Sequence, residues 1–233
     1  MIKEIPIKII GHPDRRSMAE RLAEKVDGVV SWHSRGRMDH LLGCALNHLD
    51  ALKSFLELNV DWVVCLEDDA VPLPEFRRHL SEALEYAPAP VVGLYLGTGN
   101  PSGEAQRQIR QAVVSAEERG HAWLLADCLI GSVGYALEAH LLEDMIEFIE
   151  DRDEELPLRI SRWAQDRKIP ICYTQPSLVD HADVDSIGRP WRGDKYTGRK
   201  AWNFSQPSCW YTGTVQLGHC PVWSAPKEEK GAN

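Results

Sequence analysis

Apolar residues along the chain follow two rhythms. Short, nearly unbroken runs at 5–10, 28–32, 60–66, 91–96 and 169–174 predict strands covered on both faces, where no alternation is needed. Between them, apolar residues recur every three or four positions. Leu42, Ala45, Leu46, Leu49, Leu52 and Leu56 form one stripe that predicts a helix over about 39–58. Asp14 caps a helix running through Val26, and Pro74 opens one to Tyr86 that Pro88-Ala89-Pro90 breaks. Further helices are predicted over about 104–117, 138–151 and 158–167, with short strand-like pieces at 126–128 and 131–134. Residues 97–120 begin polar and Gly-rich, which makes this stretch a candidate mobile lid. The order strand, helix, strand predicts an α/β fold: a mostly parallel central sheet with helices on both faces. Beyond Pro176 the periodicity disappears. The simplest organisation is one sheet domain over 1–187 and an irregular extension over 188–233 packed on it.

Composition narrows this only a little. The 233 residues, 43% hydrophobic and 26% charged, are those of an ordinary globular chain. No segment approaches the run of about 18 apolar residues that a membrane span requires. Met1 to Pro6 lacks the apolar stretch of a secretory signal, so a cytoplasmic location is expected. The net charge of −9 argues against a protein that coats nucleic acid over its whole surface. The six cysteines include no CxxC pair. Cys44, Cys65 and Cys172 read as small core residues, and the nearest approach to a zinc cluster is Cys209 with His219-Cys220.

The chemistry concentrates at Glu67-Asp68-Asp69, which ends the apolar run Val60 to Leu66. Consecutive carboxylates at a buried strand end repel one another and lose hydration unless something positive sits beside them. Mg²⁺ or Mn²⁺ prefers carboxylate oxygens, and the carboxyl ends of parallel strands are where open α/β sheets bind ligands. The plainer alternative is that Asp69 caps the next helix while its neighbours face water.

Gly43-Cys44-Ala45-Leu46-Asn47-His48, followed by Val64-Cys65-Leu66-Glu67-Asp68-Asp69-Ala70, resembles the family-25 glycosyltransferases of lipopolysaccharide synthesis. Asn47 stands where that family usually has Ser. Gly134-Tyr135-Ala136-Leu137 is similar to the family's strand ahead of a helix. Pro176-Ser177-Leu178-Val179-Asp180-His181, with Ser186, is similar to the closing motif of related bacterial and phage sugar transferases. The likeness spans residues 5 to 187 and is specific only near 43–70 and 176–186.

The resemblance implies a GT-A (Rossmann-like) fold, a nucleoside-diphosphate sugar donor, UDP-sugar being favoured, and a divalent cation, Mn²⁺ or Mg²⁺. Asp69, then Asp68, are the expected ligands, and His181 is the third, since GT-A enzymes often return a C-terminal His to the metal. Glu67 is expected to support the loop or bind through water. His12, Arg15 and Arg16 follow the first strand, where such folds bind the nucleotide, and Arg37 is a weaker candidate of the same kind. An inverting transferase also needs a carboxylate base. Asp127 is the first choice, with Asp185 and Asp166 as alternatives.

The tail bears on the acceptor. Arg189, Arg192, Lys195, Arg199 and Lys200 are interleaved with Trp191 and Tyr196, and Trp202, Phe204, Trp210 and Tyr211 follow. Cations with aromatics suit an anionic polymer carrying planar groups. The acceptor is therefore either a saccharide or a hydroxymethylated DNA base, the latter flipped from its duplex. The plainer reading is tryptophans packed on the sheet and charges facing solvent. Two other functions share the acidic strand end: a metal-dependent phosphohydrolase, and a non-catalytic sugar- or nucleic-acid-binding module.

Overall fold

The computed structural model describes residues 4–32, 40–99, 103–182, 184–185, 187 and 198–217. Their architecture is the α/β one expected. Eight strands form one sheet: β1 (Ile7–Gly11), β2 (Val29–Trp32), β3 (Trp62–Glu67), β5 (Val91–Gly93), β6 (Trp123–Ala126), β7 (Gly134–Glu138), β8 (Ile171–Thr174) and β10 (Thr214–Gln216). Two more strands, β4 (Ala70–Pro72) and β9 (Val179–His181), pair separately. The order in the large sheet is β10-β6-β8-β5-β7-β3-β1-β2. Strands β1, β2, β3, β5 and β8 point one way, while β7, β6 and β10 run against them.

Period-two alternation along β3 divides its side chains between two cores. Val63 and Cys65 face α2 (His40–Lys53), α4 (Glu104–Arg119), α5 (Leu142–Ile149) and α6 (Leu156–Arg167). Trp62, Val64 and Leu66 face α1 (Arg16–Val26) and α3 (Phe76–Glu85). Every residue from Trp62 to Leu66 is buried, as a strand sandwiched between helices must be.

Several boundaries differ from the sequence expectation for local reasons. Helix α2 stops at Lys53, because the Ser54 hydroxyl bonds the Ala51 carbonyl at 2.6 Å and the chain turns, leaving Leu56 and Leu58 exposed. Strand β5 leaves the main ladder at Leu94, whose amide donates to Gly134 and whose carbonyl accepts from Val179. Strand β7 continues through Glu138, so α5 begins only after a 3₁₀ turn at Ala139–Leu141. The stretch read as a lid holds a core helix: Ala105, Ile109, Ala112, Val113 and Ala116 of α4 are buried on the sheet. The helix itself is the one expected over 104–117, and its apolar residues at helical spacing make the buried stripe.

The chain past Pro176, where periodicity disappears from the sequence, is also less irregular than expected. Strand β9 pairs with β4, and β10 adds an edge strand beside β6. Trp210 is buried with its ring 5.4 Å from Trp123, and Trp202 donates to Gln106 at 2.9 Å. None of the described helices is long and apolar enough to cross a membrane.

The middle of the sheet offers a packing test. A β-carbon added at Gly93 would clash with the Tyr173 ring, 2.3 Å from Cε1 and 2.4 Å from Cδ1. That ring cannot slide away, because its hydroxyl donates to Cys128 O at 3.0 Å and accepts from Ile130 N at 2.5 Å. Gly93→Ala is expected to lower unfolding free energy by about 1–3 kcal/mol through overpacking, measured by urea denaturation.

Candidate functional site

The site lies where β1 and β3 end. Their parallel register sets Ile10 beside Glu67, so the chain leaving β1 passes directly over the residues after β3. His12 begins the turn there, and its backbone amide donates to Asp68 Oδ2 at 2.8 Å. Pro13 then suits the first position of a 3₁₀ turn that lifts Arg15 into place. The Arg15 Nη1 donates to Asp68 Oδ1 at 2.9 Å and to Asp69 Oδ2 at 2.6 Å, and its Nη2 donates to the carbonyl of Asp185. A single guanidinium thus spans both aspartates.

The small sheet supplies the opposite wall. Antiparallel pairing of β4 with β9 sets Ala70 opposite His181, and the Ala182 amide donates to the Asp69 carbonyl at 2.8 Å. That ladder holds His181 Nε2 3.4 Å from Asp69 Oδ2. Tyr95 flanks the imidazole with ring centres 6.3 Å apart.

The two buried aspartates differ electrostatically. Burial pushes the Asp68 carboxyl up, and the His12 amide and Arg15 offset this only in part. Burial acts on Asp69 in the same direction, yet the hydrogen bond and charge of His181, together with Arg15, hold it at about 2. Burial opposes the charged form of Arg15, but its two carboxylate partners raise its pKa overall. Asp69 is therefore the more readily ionised of the pair. Its Oδ1 is buried without a hydrogen-bond partner, which leaves an open lone pair on a charged group. The ligand atoms of Asp68, Asp69 and His181 do not all come within 4.8 Å of one another, and Arg15 holds the charge balance there.

Glu67 faces the other way, towards α2. Its Oε1 accepts from the Ser132 hydroxyl at 2.5 Å and lies 3.6 Å from His48 Nε2. Cys44 stands one helical turn before His48. Among the described residues, Cys44, His48 and Glu67 form the one group of three such donors whose ligand atoms all lie within 4.8 Å of one another. Cys44, expected as a small core residue, is half-buried, and burial first, then Glu67, Asp69 and Asp68, push its thiol pKa up. The signal in the sequence was Cys44-x-x-x-His48, a spacing that puts both on one helix face. Searching for CxxC pairs passes over it. Asn47 is structural: its amide nitrogen donates to the carbonyls of Gly11 and Ser31, and its oxygen accepts from the Ser31 hydroxyl.

Other sequence candidates fall elsewhere. Arg16 pairs with Glu20 at 3.3 Å and lies 4.4 Å from the centre of the Trp32 ring, at the end of β2. Asp185 reaches Arg15 through its main chain. Asp127 does not reach the carboxylates, because β6 runs against β8 and carries it to the wrong end of the sheet. Its neighbour Ala126 is level with Ile171, Val91, Leu137 and hence Val63, near the start of β3. Asp166 sits in the last turn of α6 shortly before β8 begins, at that same far end, and pairs with Arg167 at 2.6 Å. Of the basic tail residues, Arg199 donates to the Val184 carbonyl at 3.2 Å, and Lys200 donates to the His181 carbonyl at 2.5 Å. Arg37, Arg189, Arg192, Lys195, Ser186 and His219-Cys220 lie outside the described residues.

Acid titration tests the Asp69 environment. A depressed folded pKa gives stability that is present above the unfolded value, about 4, and lost as pH falls through the folded value. Asp69→Asn is expected to flatten the acid limb of the stability profile between about pH 4 and about 2, followed by circular dichroism.

No family profile matches the chain, and no curated protein matches it by sequence. Solved structures do resemble it. Over 77% of this chain and 85% of the other, it is similar to A197 from STIV, with 15% identity and a TM-score of 0.47. Over 88% and 96% it is similar to a glycosyltransferase involved in glycosylation of the major capsid of PBCV-1, with 10% identity and a TM-score of 0.41. Over 73% and 66% it is similar to the inositol-1-phosphate CTP transferase from T. maritima, with 10% identity and a TM-score of 0.37. At this distance the likeness is one of general chain arrangement.

Proposed function

We propose that this protein is a metal-dependent glycosyltransferase that moves a sugar from a nucleoside-diphosphate sugar, a UDP-sugar being favoured, to a hydroxyl acceptor. The observation that carries the reading is Asp69: a carboxylate buried at a strand end and held below its usual range, with Arg15 and His181 on one oxygen and the other oxygen unpartnered. Asp69, Asp68 and His181 would hold Mn²⁺ or Mg²⁺. Bound there, the cation supplies positive charge to the diphosphate that departs when the sugar is transferred.

The chain's own residues do the rest. The His12 amide fixes the Asp68 carboxylate, and Arg15 offers a planar cation of the kind that recognises phosphate oxygens. Arg16 over Trp32 lines the end of β2 as the candidate edge of the nucleotide site, with Arg37 a further candidate. Asp185, tied to Arg15 through its carbonyl, is the candidate base for the acceptor hydroxyl. Glu67 braces the loop through Ser132.

A saccharide is the favoured acceptor. Arg199 and Lys200 donate to backbone carbonyls and Trp210 is buried in packing, which leaves Tyr211 as an exposed aromatic of the described tail and favours a small saccharide over a stack of DNA bases. Arg189, Arg192 and Lys195 remain as candidate acceptor contacts.

Calorimetry with UDP-sugars, with and without Mn²⁺, tests the donor reading. Binding is expected only with metal and is expected to vanish in Asp69→Asn, whose transfer rate falls by at least about 10²-fold. Failure of every nucleotide sugar to bind would sink the proposal. Mass spectrometry of oligosaccharide and hydroxymethylated DNA incubated with the bound donor then decides the acceptor. Phosphate release with no acceptor present would instead favour a phosphohydrolase.

A further inference from the structure

The cluster on the α2 side of the acidic triplet is not used by the transfer chemistry. Three facts about it converge. First, Cys44 and His48 are four residues apart on α2, and Glu67 ends β3 opposite them, so the site is stapled from a helix and a strand. Second, the three ligand atoms are sulfur, imidazole nitrogen and carboxylate oxygen, all within 4.8 Å of one another. His48 Nε2 and the Glu67 oxygen are 3.6 Å apart, against roughly 3.4 Å for a nitrogen and an oxygen on one tetrahedral zinc ion. Third, His48 is fully buried, and its Nε2 has no hydrogen-bond partner although it is aimed at the other two groups. An unbonded imidazole nitrogen in a closed interior needs an explanation.

We propose that Cys44, His48 and Glu67 form a second metal site, selective for Zn²⁺, immediately behind the Asp68–Asp69 centre. The ligand set decides the metal. Thiolate and imidazole favour zinc, whereas the all-oxygen chemistry expected of Asp68 and Asp69 favours Mn²⁺ or Mg²⁺. Three protein ligands leave a fourth position open on a tetrahedral ion.

The surroundings are arranged as metal sites require. The remaining ring nitrogen of His48, Nδ1, lies 3.2 Å from the Tyr135 hydroxyl oxygen. Coordination through Nε2 leaves the proton on Nδ1, which then donates to that oxygen and fixes the ring. Ser132 does the same for the carboxylate by donating to Glu67 Oε1 at 2.5 Å. Zinc binding would therefore lock the first half of α2 to the end of β3, on the face opposite Arg15. The proposal stands apart from the glycosyltransferase reading.

Cobalt substitution provides the test, using the full-length chain stripped of metal and titrated with Co²⁺ alone, then Zn²⁺. One Co²⁺ per chain is expected to give the near-ultraviolet thiolate charge-transfer band and intense tetrahedral visible bands, and Zn²⁺ is expected to erase both. Cys44→Ser is expected to lose the charge-transfer band while keeping a native circular dichroism spectrum. Tyr135→Phe is expected to keep the band with about 10- to 100-fold weaker affinity. Asp69→Asn is expected to leave the band unchanged although nucleotide-sugar binding is lost, which separates the two centres. A band that survives Cys44→Ser, or the absence of any band in the unmodified protein, would overturn the proposal.

Discussion

Two adjacent aspartates sunk into the end of a central strand need positive charge within hydrogen-bond reach, and much of this structure follows from how Arg15 provides it. The guanidinium touches both carboxylates, which its planar fork allows and a lysine ammonium would do less well. For Arg15 to arrive there, β1 must lie parallel beside β3 with Ile10 level with Glu67, and the chain must turn sharply at Pro13. The packing of Ile7 and Ile9 against α1 is what holds that register. Site and sheet are thus one problem: shifting β1 by a residue would turn its apolar side chains over and remove Arg15 from the aspartates.

Strand alternation divides the acidic triplet. Glu67 continues the side of Cys65 and meets His48 and Ser132, while Asp68 continues the side of Leu66 and meets His12 and Arg15. Three consecutive acids therefore serve two environments, one lined by sulfur and imidazole, the other by a guanidinium. Asp69, past the strand, completes the second environment with His181. The electrostatic contrast between Asp68 and Asp69 has the same origin: His181 lies against one aspartate and not the other.

The end of the chain acts as a brace. Ala201 bridges to Gly97, the Ala201 amide donates to Asp180, and Lys200 reaches both the Asp180 carboxylate and the His181 carbonyl. Tyr95 donates to the Arg199 carbonyl at 3.0 Å on the same side. These contacts fasten β9, and through it His181, against Asp69. Charges that look like a polymer-binding patch in the sequence are in part the fastenings of the site.

The sequence by itself determined the class of fold, because buried runs and helical stripes obey the 2.0 and 3.6 periods whatever their partners. It also pointed to positive charge beside the buried acids, since burial of like charges is unfavourable in any fold, and the structure sets that charge against Asp68 and Asp69 but not against Glu67. It did not determine what carries that charge, which in the structure is Arg15, 53 and 54 residues away along the chain. Strands β4, β9 and β10, three residues each, are too short to show a period, so their pairing is decided only by contacts between distant segments. The direction of β6 was equally invisible, and it alone carries Asp127 away from the carboxylates. The cluster of Cys44, His48 and Glu67 required both a helix face and a strand end, and only tertiary packing brings those within bonding distance.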